Sequence, residues 1–475
     1  MVVQGTSTGT STDFDGNFTF ETSATNGNIT ISFVGYNSKN VAFNGSTDFG
    51  TVALEPSAES LDEIVITQTS FAIERKTPVA VSTVRADIIE NKLGTQEFPE
   101  ILKATPGVYA TKSGGGFGDG RINLRGFNSE NVAVMINGVP VNDMENGRVY
   151  WSNWAGLSDV TSAMQVQRGL GASKLAVPSI GGTINILTKS TDAVKGGNVF
   201  VGTGNDGYQK YGVTVSTGLM DNGFAATVSA AKTKGNGYAD GTEFEGYSYF
   251  VNLSKELNEN HKLSLTSFGA PQKHGQRQNR STIETYRNAA SGNKFNPDWG
   301  IMNGEVYHIQ NNFYHKTKTI LNHYWTINDK SNLSTALYAS FGSGGGSGNT
   351  GDMALFNQRL GGSDMPVDLD AIVDANRASG PNGGLAWIYA SRNDHNWYGV
   401  LSTYKTELND NLDLVAGVDV RDYKGIHFRE IYHALGSEYI LDNSDINNPN
   451  ATLRTGDKFS YFNDGEVGWQ GLFTQ

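Results

Sequence analysis

The chain has 475 residues, 58 of them glycine, and only 18% charged side chains against roughly a quarter in ordinary globular domains, which argues against a charged helical bundle. Its 36 Lys and Arg against 48 Asp and Glu leave a net charge of −12, so there is no basic field to hold nucleic acid. The absence of cysteine excludes disulfide frameworks, thiolate nucleophiles and Cys-ligated metal clusters, and no apolar run approaches the roughly 20 residues of a membrane-spanning helix.

Residues 1–56 are rich in Thr, Ser, Asn, Gly and Phe and lack a helical period. Phe18 and Phe20 alternate with Asn17 and Thr19, and Ile29, Ile31 and Phe33 alternate with Thr30 and Ser32, which predicts short strands around a small core. Residues 57–77 form a linker that contains Leu61, Asp62, Glu63, Ile64, Val65, Ile66 and Thr67. An acidic start followed by alternating β-branched residues suits addition to the edge of another protein's sheet. A strand that closes the preceding small domain fits the same pattern equally well.

Residues 78–189 change to a mixed α/β pattern. Thr95 is placed to cap a helix carrying Phe98, Ile101 and Leu102 on one face, with Pro99 in its first turn and Pro106-Gly107 as its stop. Val132, Val134 and Ile136 alternate up to Asn137-Gly138, a strong hairpin pair, and the chain returns through Val139 and Val141. Gly181-Gly182 leads into a strand through Ile184 and Ile186.

From residue 195 to 475, strands and turns repeat. Tyr211, Val213, Val215 and Leu219 share one face, and Phe224, Ala226, Val228 and Ala230 repeat the arrangement after Asp221-Asn222-Gly223. Tight connections there, at Asn258 to Asn260, at Asn328 to Asn332 and at Asn409 to Asn411 alternate with long ones, over about 234–245, 270–305, 342–394 and 425–465. Short turns at one end and long loops at the other are the pattern of an outer-membrane barrel, with apolar side chains toward lipid and small polar ones toward the lumen. About ten strands of roughly ten residues are expected, the last at Gly468 to Gln475. Ten strands with an unpaired edge in lipid would leave backbone groups unsatisfied, so the chain is expected to be incomplete at its C-terminus.

Enzyme-like motifs are weak. Gly202-Thr203-Gly204-Asn205-Asp206-Gly207 has dinucleotide-site spacing, but strand alternation rather than a helix follows it, so a glycine-rich hairpin is expected. Asp13-Phe14-Asp15-Gly16-Asn17 starts like a calcium loop without its closing Glu, which favours a β-turn. His274, His308, His315 and His323 share no close spacing, so no metal site is expected, and no nucleophile, base and acid can be assembled into a catalytic set.

Taken together, several motifs resemble those of TonB-dependent outer-membrane receptors, in the branch with an N-terminal carboxypeptidase-regulatory-like domain. The run from Gly9 to Phe18 matches the small domain and Leu61 to Thr67 the TonB box. Thr105-Pro106-Gly107-Val108, Ile122 to Phe127, Val134 to Pro140 and Gly181 to Ile186 match the plug. The resemblance implies a mainly β fold: a partial barrel of about ten of 22 strands, with an α/β plug domain inside it and a truncated N-terminal β-sandwich. It implies transport without chemistry on the substrate and without a cofactor, in the cell outer membrane, the chain being a fragment of a longer receptor that lacks a signal segment and its first strand.

The implied partners are the periplasmic domain of TonB, gripping residues 61–67, outer-membrane lipid, and a small or oligomeric extracellular ligand. A surface lipoprotein is a further candidate partner. A barrel-anchored surface binding protein or adhesin is the alternative, and it would need neither box nor plug. Ligand capture is expected at Arg148, Tyr150, Trp151 and Trp154, at the outward end of the plug, and at His274 and Arg277 in the loop from Ala270, because aromatic faces with a few hydrogen-bonding groups suit a polar or planar ligand. Plug core is the competing reading for the two tryptophans. Arg121, Arg125 and Glu130 are expected in the plug's internal polar framework or against the barrel wall, with solvated surface charge as the competing reading.

Overall fold

The computed structural model describes residues 2–3, 8–10, 12–13, 16–32, 38–45, 47–54, 80–112, 117–118, 120–169, 179–409, 412–443, 446–459 and 467–474. The chain divides into two compact units, Met1–Thr67 and Gln68–Gln475. The first is a three-stranded antiparallel sheet of β1 (Val2–Val3), β2 (Asn26–Ile31) and β3 (Lys39–Asn44). Ile29, Ile31 and Phe43 form its core. Phe18 and Phe20 are not in a strand; they pack onto the sheet from an irregular segment, Phe18 stacking 5.9 Å from Phe49, because ring burial there needs no ladder. Asp13 and Asn17 close a turn through Gly16 at φ 88°. Phe33 and the segment Leu61 to Thr67 lie outside the described residues.

In the second unit, β4 (Ala80–Arg85), β9 (Thr161–Arg168), β10 (Gly182–Thr188), β7 (Val132–Ile136) and β8 (Val139–Pro140) form one sheet in that order, beside the hairpin β5 (Val108–Lys112) and β6 (Gly120–Leu124). Strands β7 and β10 run parallel and bury every residue. Such strands carry near-continuous apolar runs because both faces are covered. Asn137 at φ 50° and Gly138 at φ 80° make the expected tight hairpin. Helix formation differs from expectation in two places. Ala86–Lys92 is helical, and the Phe98–Ala104 segment is a 3-10 helix capped by Glu97 rather than Thr95. Glu97 and Glu100 cap each other's backbone amides, which fixes the start of that turn two residues later.

The remaining strands are β11 (Gly196–Thr203), β12 (Gln209–Ser216), β13 (Phe224–Gly235), β14 (Phe244–Asn258), β15 (His261–Gly269), β16 (Gln272–Gly275), β17 (Trp299–Met302), β18 (Glu305–His308), β19 (Asn311–Asn328), β20 (Ser331–Gly351), β21 (Val367–Asp368), β22 (Ala386–Asn409), β23 (Leu412–His433), β24 (Ile440–Asp442), β25 (Ala451–Leu453), β26 (Lys458–Phe459) and β27 (Val467–Thr474). All but β17, β18, β21, β24 and β25 join a 12-stranded sheet in which the long strands follow chain order and pair antiparallel. Exposed Val213, Val215, Leu253, Leu321, Leu337 and Val420 alternate with buried Thr214, Asn252, Ser254, Ser340 and Asp419, the inside-out pattern of a membrane barrel. The Gly202–Gly207 motif is the hairpin between β11 and β12, with Gly207 at φ 68°.

Several strands are much longer than ten residues, with 21 in β20, 24 in β22 and 22 in β23. The expected loops 342–394 and 425–465 therefore surrender Gly342 to Gly351, 386–394 and 425–433 to the sheet. A glycine run has no side chains to alternate, so backbone pairing alone carries it as a strand. The expected loop 270–305 holds β16, a short helix Ile283–Asn288 and β17. Outer connections also build a core of their own from Ile309, Phe356, Val367, Leu369, Ile372, Ile388 and Leu435. The plug core is continuous with Phe250, Phe268, Ile320, Tyr338, Trp397 and Tyr423 of the long strands.

Candidate functional site

The plug hairpin β7–β8 delivers residues 141–154 to the inner wall of the long-strand sheet. Buried Asn142 holds the hairpin, donating to the carbonyls of Val132 and Gly147 (2.9 Å each) and accepting from the Val134 amide (2.8 Å). The Asp143 carboxylate accepts from the amides of Glu145 (3.0 Å) and Asn146 (3.1 Å), and the Asn146 side chain accepts from the Arg148 amide (2.9 Å). Short side chains thus satisfy the turn locally, as Asx turns do. What the turn projects is Glu145, Arg148 and Tyr150.

Glu145 reaches the wall. Its Oε1 accepts from the Tyr423 hydroxyl (3.1 Å) and meets His427 Nε2 at 2.7 Å, and His427 Nδ1 lies 2.9 Å from Asn393 Oδ1. A side chain at Gly425 would put its Cβ 2.3 Å from Glu145 Oε1, so glycine is what admits this approach. Beside it, the Tyr314 hydroxyl donates to the Asn393 carbonyl (2.7 Å) and lies 3.1 Å from His395 Nδ1. Tyr314 is within electrostatic range of Asp143, Glu145 and Tyr150. The outcome is a polar, aromatic floor between plug and wall, on the side of the sheet where the long connections lie.

The structure separates the expected capture residues. Arg148 and Tyr150 are exposed at this floor; Arg148 Nε donates to Glu130 Oε1 at 2.7 Å, and the Tyr150 hydroxyl accepts from Asn146 at 3.2 Å. Trp151 and Trp154 are only 3% and 2% exposed. Trp151 packs edge-on to Phe98 and Trp154 sits 5.6 Å from Phe268 of the wall, so both are core and present no face to a ligand. His274 is 1% exposed, in strand β16 rather than a loop, wedged against Phe117 and bonded to Gln272. Arg277 donates to the carbonyls of Asn293 (2.7 Å) and Phe295 (3.1 Å) and stacks over Tyr286, which makes it a brace for its own connection.

Arg121 and Arg125 are exposed, so the solvated reading replaces an internal framework for both. Arg125 sits at φ 54° in a turn, and its side chain lies over Gly107 and Gly169 at the end of β9. Glu130 is half-buried and pairs with Arg148. Its own backbone amide, then Arg148, hold its carboxyl below the usual carboxylate range. Burial holds the Glu97 carboxyl, which accepts from the Gly118 amide at 3.0 Å, above that range.

Glu145, Tyr314, His395, Tyr423 and His427 were not foreseen. Period-2 alternation along β19, β22 and β23 places the wall residues inward; His427 alone falls in an expected loop, 425–465, and which inward residues meet the plug is no local property of the chain. Among the described residues no group of three His, Asp or Glu side chains converges as a metal-ligand set, and no helix is long and apolar enough to cross a membrane.

Residues 73–183 match the TonB-dependent Receptor Plug Domain and residues 1–66 the CarboxypepD_reg-like domain. The chain is 24% identical over 204 residues to the vitamin B12 transporter BtuB of Vibrio vulnificus, covering 42% of this chain and 33% of that protein. It is 31% identical over 160 residues to the ferric enterobactin receptor PirA of Pseudomonas aeruginosa, covering 30% and 21%. The fold is similar to that of P. aeruginosa FpvA, solved bound to heterologous pyoverdines, at TM-score 0.54 and 15% identity, over 82% of this chain and 48% of that one. The chain thus spans a third or less of these curated relatives and about half of this solved structure.

Proposed function

For this chain of the TonB-dependent outer-membrane receptor type, we propose energy-coupled import of a scarce extracellular ligand, captured on the floor formed by Arg148, Tyr150, Glu145 and His427 and admitted when the plug moves. The observation that carries the reading is the plug's position: it is packed against the polar face of an inside-out sheet and shares one core with it. An anchored adhesin would have no use for a plug inside its lumen. The relatives named above are transporters and receptors rather than enzymes, and their vitamin and iron-chelate ligands make a metal chelate or vitamin-like cofactor a reasonable first panel for this chain.

In this reading Leu61 to Thr67 pairs with the periplasmic domain of TonB as an added strand, through main-chain hydrogen bonds. A surface lipoprotein remains a candidate partner at the outer connections. Because proline lacks the amide donor and fixes φ, Val65→Pro should abolish uptake while leaving ligand binding at the cell surface intact. The substrate is to be found by growing a strain deleted for the gene on single nutrient sources, then measuring uptake of the limiting nutrient in parent and variant. Normal uptake by Val65→Pro would remove the box assignment.

A further inference from the structure

Beneath the capture floor, the inner wall carries more buried positive charge than the plug needs to dock. Register places Lys318, Ser340, Trp397 and Tyr423 side by side across β19, β20, β22 and β23, with Lys316 in the row above and Tyr338 and Arg421 in the row below. Lys316, Lys318 and Arg421 are 5%, 0% and 6% exposed. Among the described residues Asp419 is the one carboxylate that pairs here, and it is taken by Arg421, whose Nε lies 3.0 and 2.9 Å from its two oxygens.

Lys318 donates to the Pro140 carbonyl of the plug at 2.8 Å and lies 4.3 Å over the Trp397 ring and 4.8 Å over Tyr338. Lys316 has Trp154 and Trp397 at 5.6 and 5.8 Å, and no hydrogen bond or ion pair among the described residues. The Trp397 indole N–H is buried beside the Tyr338 hydroxyl, without a well-aligned hydrogen bond among the described residues. A buried ammonium ordinarily finds a carboxylate or a set of carbonyls. Here two lysines face aromatic rings, with donors left over and one carbonyl lent by the plug.

Resting on the import reading, we propose that this wall is a track for an anionic solute: aromatic faces hold the lysines in place, the plug's Pro140 carbonyl occupies Lys318 while the lumen is closed, and plug displacement turns Lys316, Lys318 and the Trp397 N–H toward oxyanion groups of the substrate. From Tyr314 to the Tyr338 and Arg421 row the track descends six residues, about 20 Å at roughly 3.3 Å per residue. Plug docking accounts for Lys318 through Pro140 and for the charge of Lys316 through the Trp154 ring and Asp143, but it gives the Lys316 ammonium no hydrogen-bond acceptor among the described residues. Gly399 belongs to the same design, since Tyr338 lies across it, 2.2 Å from where a Cβ would stand.

These 475 residues contain no cysteine, so Ser340→Cys adds the one thiol among them, between Lys318 and Trp397, and labelling is scored against the parent receptor. Cells carrying this variant are treated with three methanethiosulfonates: the anionic sulfonatoethyl, the cationic trimethylammonioethyl and the small neutral methyl reagent. Each rate is normalised to that with a free thiol. In energised cells with TonB, the anionic reagent should outpace the cationic one at least about tenfold, the scale of charge focusing in a cleft. Adding Lys316→Gln and Lys318→Gln should bring the ratio close to one, and Lys316→Gln alone, which keeps the Pro140 contact, should lower it if the double variant inserts poorly.

A cationic reagent that is equal or faster overturns the proposal. So does labelling by the neutral reagent without the anionic one, labelling by none, or a ratio indifferent to both lysines. Identical labelling with and without TonB would instead remove energy-coupled plug opening while leaving the charge preference standing.

Discussion

In the plug, β10 buries all seven of its residues, Gly182–Thr188: Ile184 and Ile186 join the apolar core on one face, and Asn185 and Leu187 are covered on the other. In β13 the order is reversed: Phe224 and Val228 stand exposed while Thr227 and Ser229 are buried. Both strands are equally well paired with their neighbours. The difference lies in what surrounds them. The plug sheet is a protein core shielded on both sides, whereas the outer face of β13 looks toward hydrocarbon and its inner face toward plug and water. Burial therefore marks the apolar residues in one region and the inward-facing polar ones in the other.

The largest effect expected from this contrast is at Trp154. Trp154→Ala should destabilise the plug by about 3–5 kcal/mol, measured by urea unfolding of the purified protein in detergent, because the ring fills space between plug and wall beside Phe268. Normal stability with weakened ligand binding would restore Trp154 to the capture site and break the comparison.

Next in size is the outer face. Leu337 is 47% exposed, and in a water-soluble domain an arginine there would shift stability by no more than about 0.5 kcal/mol. Toward lipid, Leu337→Arg should cost about 2–4 kcal/mol when folding into phospholipid vesicles is compared with the parent. A negligible cost would put this face in water.

Between the two regions, Lys210 of β12 meets Asp159 of the plug at 2.6 Å with both side chains mostly buried. Asp159→Asn should cost about 1–3 kcal/mol, and a double-mutant cycle with Lys210→Gln should show the two changes to be strongly non-additive. Additive effects would mean that plug and wall do not communicate through this pair.

The smallest effect separates an exposed plug contact from these buried ones. Glu130 titrates lower in the folded chain than when unfolded, so its stabilisation is present above the unfolded carboxylate value near 4.3 and lost as pH falls through the folded one. Arg148→Gln should cost about 0.5 kcal/mol at pH 7 and less at pH 3, where Glu130 is nearer protonation. Chemical unfolding of parent and variant at both pH values measures the difference, and an equal cost at both would remove the ion pair as the cause.

Local pattern determined a good deal of this protein. Period-2 alternation in Tyr211 to Val215, the Asn137-Gly138 turn and the acidic turns at Asp221 and Asn258 need only near neighbours in the chain, and they specify strands, hairpins and which end of the sheet has short connections. The absence of a helix after Gly207 is local too, which is why that motif could be read as a hairpin. Tertiary structure decided the rest. The glycines from Gly342 to Gly351 became strand because β19 pairs with the run as far as Gly346 and β22 carries the ladder on to Gly351, and Trp151 and Trp154 became core because Phe98 and Phe268, more than 50 residues away on either side, closed over them. Glu145 found His427, and Lys318 found the Pro140 carbonyl, across separations of 282 and 178 residues. No spacing rule along the chain reaches that far: such contacts form only once the sheet has curved around the plug and brought its inward-facing rows against the hairpin.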